Sequence, residues 1–354
     1  LKNIKVLVVD DSALMRKIIS DILNGDPDIE VIETARNGVD LFEKINKKKP
    51  NVITLDLEMP LMNGIEVLKK LKESNISIPV IMLSSLTKEG TTQTMESLHY
   101  GAFDFVPKPS GTISIDINKV AYELILKVKS AYSSYSLKSI AVKPVTKQKI
   151  DNTDYINKIK GTSFGKIKAI VIGASTGGPK ALYNVITKFP EFIGAPVFVV
   201  QHMPVGFTKA FAERLDANSE IKVVEASDGL SYENNVVYIA PGGYHMEVWK
   251  DGKIHLNTEP SIWGVRPAVD KLFISASKVY GSSIVSAVLT GMGRDGAEGT
   301  RIIKQNGGYT ISEAESTCVI YGMPKMAFET GAVDFVLPID RVADEIVDIV
   351  KGRR

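Results

Sequence analysis

Short apolar runs alternate with segments of helical spacing along most of this chain. In the first 125 or so residues, Ile4–Val9, Glu30–Thr34, Val52–Leu55, Pro79–Leu83 and Phe103–Val106 read as strands. Between them, Leu14–Leu23, Val39–Ile45, Ile65–Leu71 and Thr92–His99 set apolar residues three and four apart, the spacing of one helix face. That alternation implies a parallel sheet covered by helices on both faces. Around residues 130–165 the period dissolves into Ser133-Ser134, Ser136, Ser139 and scattered lysines, the composition of a linker. It resumes at Lys168–Ile172. Strands are predicted at Pro196–Val200, Lys222–Glu225, Val236–Ala240, Ile284–Leu289, Tyr309–Ser312 and Phe335–Leu337. Helices are predicted at Pro179–Thr187, Thr208–Leu215, Pro267–Val279, Ala297–Gln305, Pro324–Thr330 and Asp340–Lys351. Met246–Trp249 and Lys253–Asn257, joined at Asp251-Gly252, read as a hairpin. The expected fold class is α/β, with two doubly wound parallel-sheet domains at residues 1–126 and 167–354. A basic flexible linker at 127–166 joins them, and the second domain carries the β-hairpin insertion.

Composition narrows the class without changing this outline. Hydrophobic residues make up 44% and charged residues 24% of the 354, ordinary for a globular protein. No apolar stretch approaches the roughly 18 residues that span a bilayer, and Val6–Val9 is too short for a signal-peptide core. A cytoplasmic location without membrane insertion is the expectation. The lone Cys318 excludes an internal disulfide framework. Residues 127–168 carry ten basic and two acidic side chains, whereas both flanking segments are mildly acidic. The basic excess therefore sits between the domains, which argues against nucleic-acid binding by the second one. The lysines of the linker are read as a solvated tether, or as attracting an acidic partner.

Three carboxylates sit at predicted strand ends in the first domain. Asp10 and Asp11 follow Val6–Val9, and Asp56 follows Val52–Leu55. In a parallel sheet these ends share one edge, so the three converge, and Mg²⁺ would relieve their repulsion. Lys108 follows the last strand, and Ser84 ends the fourth with a hydroxyl. Asp11 or Ser12 also suits a helix N-cap, which leaves Asp56 and Lys108 unexplained. The set Asp10-Asp11, Leu55-Asp56-Leu57-Glu58-Met59-Pro60, Ser84 and Pro107-Lys108-Pro109 resembles the receiver domain of two-component response regulators, a flavodoxin-like fold. The resemblance implies that Asp56 accepts a phosphoryl group from a histidine kinase, that Asp10, Asp11 and Asp56 hold Mg²⁺, and that Lys108 pairs with the phosphoryl. It also implies that Ser84 and Phe105 form a switch pair.

In the second domain, Ile172-Gly173-Ala174-Ser175-Thr176-Gly177-Gly178-Pro179 joins a strand to a helix. It departs from a dinucleotide fingerprint because Ser175 takes the middle glycine, and from a P-loop because Pro179 follows Gly178. It fits G-x-S-x-G, in which glycines let a serine stand exposed as a nucleophile. A turn with Ser175 as helix cap, or a non-catalytic phosphate cradle, fits the same string. A nucleophile needs a base. Of His99, His202, His245 and His255, position favours His202, just after Pro196–Val200, over His245 on a loop and His255 in the hairpin. Asp295, after Ile284–Leu289, is better placed to orient an imidazole than Asp228 in a turn or Asp270 inside a helix. Its competing reading is a cap before Ala297. The order Ser175, His202, Asp295 differs from the α/β-hydrolase order.

The stretches Ile172–Gly178, Gln201–Phe207, Ile239–Met246, Arg266–Phe273, Leu289–Gly296 and Cys318–Pro324 resemble the chemoreceptor-glutamate methylesterase family (CheB), with a Rossmann-like α/β esterase domain. With the receiver in front, the resemblance spans nearly the whole chain. It implies Ser-His-Asp acyl-enzyme chemistry on methylated glutamates, and deamidation of glutamines, in the cytoplasmic helices of chemoreceptors. The receiver would block the esterase cleft until Asp56 is phosphorylated. Backbone N–H groups at Met292 and near Thr176 are candidate oxyanion donors. His245 and Arg266 are candidate substrate contacts, and Cys318 is a small buried residue rather than a nucleophile. The esterase domain needs no cofactor on this reading.

Overall fold

The computed structural model describes residues 4–108, 114–140 and 167–353. The first sheet has five parallel strands in the order β2-β1-β3-β4-β5: β1 Ile4–Val9, β2 Ile29–Ala35, β3 Val52–Asp56, β4 Val80–Ser84 and β5 Asp104–Pro107. Helices α1 Ala13–Asn24, α2 Gly38–Lys48, α3 Gly64–Glu73, α4 Lys88–His99 and α5 Ser114–Ile140 connect and cover it. Alternate residues of β1 point into opposite layers. Leu7 and Val9 pack with Leu41 of α2 and Val67 of α3, while Val6 and Val8 pack with Ile19 of α1 and Leu124 of α5. Burial on both faces is why these strands read as continuous apolar runs.

α4 begins at Lys88, ahead of the expected Thr92, because the Thr87 hydroxyl accepts the Gly90 N–H at 3.0 Å and caps the turn. α5 corrects the expected domain boundary. The helix runs through residue 126 to Ile140, and Leu124, Val128 and Ala131 are fully buried against the first sheet. Three- and four-residue spacing of those apolar positions persists among the serines and lysines that suggested a linker. The rest of the expected linker, 141–166, lies outside the described residues.

The second sheet has seven parallel strands in the order β14-β13-β12-β6-β7-β9-β8. They are β6 Ala169–Ala174, β7 Val197–Gln201, β8 Lys222–Glu225, β9 Val236–Ile239, β12 Ile284–Val288, β13 Tyr309–Glu313 and β14 Phe335–Leu337. β10 His245–Val248 and β11 Ile254–Asn257 form the antiparallel hairpin. One face is covered by α6 Gly178–Ile186, α7 Phe207–Asp216 and α11 Ile339–Val350; the other by α8 Val269–Tyr280, α9 Ala297–Gln305 and α10 Met323–Glu329.

In both sheets the first strand lies where the strand order reverses. β1 sits between β2 and β3, and β6 between β7 and β12. The carboxyl ends of strands flanking such a reversal form a crevice. The two groups of candidate residues occupy these two crevices. The domains also touch: α4 packs on α7, and the Phe105 ring lies 4.6 Å from that of Phe207 at 35°, within one apolar cluster shared by both sheets.

Candidate functional sites at two sheet crevices

In the first crevice, Asp10, Asp11 and Asp56 each bring a carboxylate oxygen within 4.8 Å of the others. Asp10 and Asp56 are buried and Asp11 is exposed. Lys108 Nζ stands 2.9 Å from Asp10 Oδ2 and 2.8 Å from Asp56 Oδ2. These are ion pairs without good hydrogen-bond alignment, since both Oδ2 atoms lack a hydrogen-bond partner. Burial raises Asp56 to about 6, and Lys108 pulls it back only in part. Lys108 is held above its ordinary value, as the carboxylates outweigh its own desolvation. Buried, unsatisfied carboxylate oxygens facing one point are the donor set a hard divalent cation takes. A cavity of about 390 Å³ lined by Asp11, Glu58, Met59, Asn63 and Gln93 opens beside them.

Ser84 and Phe105 flank this pocket without entering it. The buried Ser84 hydroxyl faces α4, bonded to the Gly90 carbonyl at 3.2 Å and to the Thr94 hydroxyl. Phe105 is turned inward onto Phe207. Lys127 Nζ donates to the Phe105 carbonyl at 2.6 Å and lies 5.1 Å from its ring centroid.

In the second crevice, Ser175 follows β6, His202 follows β7, and Thr290–Asp295 follow β12. His202 Nε2 is 2.8 Å from Asp295 Oδ2. A carboxylate can only accept, so Nε2 carries the proton and the Nδ1 lone pair is left as the base. Ser175 is half-buried, and its hydroxyl makes no hydrogen bond among the described residues. The pair His202–Asp295 is formed, and its closure onto Ser175 is not; catalytic hydrogen bonds commonly tighten only with substrate.

The capping alternatives fall away. The N-cap of α6 is Gly177, with φ 76° and no side-chain cap, so Ser175 does not cap it. α9 begins at Gly296, again without a side-chain cap. Asp295 instead serves α8: its Oδ2 accepts from Val269 N–H at 2.6 Å and its Oδ1 from Asp270 N–H at 2.8 Å. Asp270 returns the arrangement, accepting from Gly296 N–H at 3.0 Å and Gly299 N–H at 2.8 Å. Each aspartate thus neutralises the N-terminus of the other's helix. Burial pushes Asp295 upward, but His202 and the two backbone donors outweigh it and hold it below the usual carboxylate range. Asp270 is raised to about 6, by burial first and by the Asp295 charge second.

Thr176 is buried and Met292 is 39% exposed. Among the described residues neither of their backbone N–H groups has an acceptor. The chain can close around Ser175 because residue 291 is glycine: a Cβ there would lie 2.7 Å from Ser175 Cβ. Thr290 locks this closure, its hydroxyl donating to the Thr176 carbonyl at 3.0 Å and its N–H to the buried Glu313 at 2.8 Å. Cys318 is partly buried, with its thiol pushed well above the ordinary value by burial, as expected for an inert side chain.

The two expected substrate contacts both engage backbone groups. His245 is fully buried; its Nδ1 accepts from Ala268 N–H at 3.2 Å and its Nε2 donates to the Pro260 carbonyl at 3.1 Å. Both nitrogens are spent on the backbone, so the ring braces it. Arg266 likewise donates to the carbonyls of Thr258 and Glu259, at 2.7 and 3.0 Å, and ties down its own loop. Burial holds His245 below its ordinary value. Its neutral form is the one the fold binds, so its contribution is complete above the unfolded value of about 6.5 and is lost as pH falls below it. Denaturation by urea should therefore show stability falling on acidification, and His245→Asn should flatten that slope by up to about 1.4 kcal/mol per pH unit. An unchanged slope would mean that His245 is charged in the fold.

Comparison with known proteins decides the family. A model of the CheB methylesterase matches residues 170–346, and one of the response regulator receiver domain matches residues 6–116. A protein-glutamate methylesterase/protein-glutamine glutaminase of Clostridium acetobutylicum is 60% identical over 355 aligned residues, covering all of both chains. This chain belongs to the CheB methylesterase family. A protein of the same name from Pyrococcus horikoshii is 47% identical over 99% of this chain and 95% of its own. The crystal structure of the Thermotoga maritima CheB methylesterase catalytic domain aligns with a TM-score of 0.51 and 43% identity, covering 52% of this chain and all of that one. Both parts of the family architecture are present, and among the described residues no helix is long and apolar enough to cross a membrane.

Sequence reasoning passed over Asp270, Gln201, Thr290 and Glu313. Asp270 was set aside because it lies in a helix, yet it is the second residue of α8, where a side chain can reach a neighbouring helix. Gln201 adjoins His202, and that adjacency was its only signal. Thr290 follows β12 and Glu313 ends the neighbouring β13, a pairing invisible without the sheet order.

Proposed function

We propose that this chain removes methyl esters from glutamates, and deamidates glutamines, on chemoreceptor helices through an acyl-enzyme at Ser175. The observation that carries the reading is the 2.8 Å His202–Asp295 pair beside the half-buried Ser175 at the crevice of the second sheet. Ser175 Oγ attacks the ester carbonyl as His202 Nδ1 takes its proton. The oxyanion forms against the free N–H groups of Thr176 and Met292. Collapse breaks the bond to methoxide, which leaves as methanol with the proton from His202. Water, deprotonated by the same ring, then releases glutamate and restores Ser175. A glutamine follows the same steps with ammonia leaving.

The first domain regulates this chemistry. Asp56 accepts a phosphoryl group from a chemotaxis histidine kinase, and the buried position of its carboxylate beside Lys108 suits that role. Asp10, Asp11 and Asp56 would hold Mg²⁺, which when bound neutralises the charge gathered by the phosphoryl group. Lys108 pairs with the phosphoryl. A phosphoryl adds roughly −1.5 to −2 charges and strong acceptors within reach of the Ser84 loop. Turning Ser84 toward it would break the bond to Thr94 on α4, the helix packed against α7. Phe105, seated on Phe207, moves with the same contact, and the esterase crevice opens. This cycle gives adaptation its negative feedback.

Methanol release from methylated receptor membranes, with and without a small-molecule phosphodonor, tests the proposal. The chain should release methanol, and the phosphodonor should accelerate release by at least about tenfold, the scale of a 1.4 kcal/mol shift. Asp56→Asn should keep the basal rate and lose the acceleration. Acceleration that survives in Asp56→Asn would refute the regulatory part.

A further inference from the structure

Gln201 closes β7 immediately before His202 and is 2% exposed. Its amide nitrogen donates twice: Nε2 lies 3.0 Å from the Ser175 carbonyl oxygen and 3.0 Å from the His202 carbonyl oxygen. One side chain therefore spans the two loops that carry the nucleophile and the base. The amide has only one workable orientation, since the reverse would set Oε1 against two carbonyl oxygens.

That orientation has a cost. Oε1 is buried without a hydrogen-bond partner. An orphaned buried acceptor disfavours the fold and offsets part of what the two donated hydrogen bonds contribute. The net stability that glutamine contributes here is therefore small. The chain also makes room for it, because a Cβ on residue 178 would come within 1.9 Å of Oε1. Gly178 is thus the seat of the Gln201 amide, and its own N–H donates to the same Ser175 carbonyl at 2.7 Å. The second glycine of Gly177-Gly178 follows from this contact and not from phosphate binding.

We infer that Gln201 is a positioning residue for the hydrolysis: seated on Gly178, its amide sets the approach of Ser175 to the His202 ring. The inference rests on the Ser175–His202–Asp295 reading above. Gln201 reaches backbone carbonyls and no reacting atom, so its loss shifts reaction geometry and leaves substrate affinity alone. Misplacement of about 1 Å at a reacting centre costs about 10²-fold in rate.

The test uses the full chain with Gln201→Leu and Gln201→Glu. Three quantities are measured: kcat and KM for methanol release, their pH dependence, and the rate at which a fluorophosphonate probe labels Ser175. Gln201→Leu should lose about 10²-fold in kcat and in labelling rate, with KM within about twofold and a melting temperature within about 4 °C of the parent's. In Gln201→Glu the carboxyl can donate to a carbonyl only while protonated. The ratio of its kcat to the parent's should therefore rise as pH is lowered from about 8 to about 5.5. A structural role alone would lower stability and leave this ratio flat. A flat ratio, or Gln201→Leu labelled as fast as the parent, overturns the inference. Failure of the parent chain to be labelled at Ser175 overturns the underlying esterase reading instead.

Discussion

Ser175→Ala is expected to lower methanol release by on the order of 10⁶-fold, the scale seen when a serine nucleophile is removed from a hydrolase triad. The hydroxyl is the only protein group the mechanism asks to form a bond to carbon. It contributes nothing to the fold that could confuse the result, since among the described residues it makes no hydrogen bond and the N-cap of α6 is Gly177 instead. Melting temperature and circular dichroism should match those of the parent. Phosphodonor binding in the first domain should be unaffected, because Asp56 and Lys108 belong to the other sheet. Methanol release within tenfold of the parent would leave the serine mechanism untenable and would favour a binding role for the same turn.

Asp295→Asn should reduce kcat by about 10⁴-fold. The amide cannot satisfy everything the carboxylate does, for Oδ2 accepts from both His202 and Val269 and Oδ1 accepts from Asp270. With its nitrogen toward His202, asparagine donates to Nε2, drives the ring proton to Nδ1 and removes the base. With its nitrogen toward Asp270, it keeps the tautomer but faces a backbone donor and no longer stabilises the imidazolium. Either orientation strands one N–H of α8, so stability should also fall by about 1–3 kcal/mol. Single-turnover kinetics separate the two effects, since a stable but slow enzyme keeps its binding step. A variant that retains more than a tenth of the parent rate would show that His202 does not depend on Asp295.

The order of elements was open to reading because both sheets are parallel and buried on both faces, which writes each strand as an unbroken apolar run. The residues that end those runs were open for the same reason. Asp56 ends a strand, Asp10, Ser175, His202 and Asp295 follow one, and carboxyl ends of parallel strands share one edge. What misled was local composition. Serines and lysines after residue 126 suggested a linker, but α5 needs only Leu124, Val128 and Ala131 on one face to pack. His245 and Arg266 stood in glycine-rich or irregular loops, where polarity suggested contact with a substrate. Their partners proved to be backbone carbonyl and amide groups of residues 258–268, which no spacing rule encodes.

The sequence by itself determined two α/β units and the chemical groups at their strand ends, because apolar period and chain direction place those groups without reference to distant residues. The tertiary structure alone decided which groups meet. It exchanged caps between Asp295 and Asp270, seated the Gln201 amide on Gly178, and set Phe105 of one domain against Phe207 of the other. Each of these depends on the order of strands within a sheet or on the docking of two sheets. Such pairings join residues far apart in the chain, where hydrogen-bond geometry and close packing, not local preference, choose the partner.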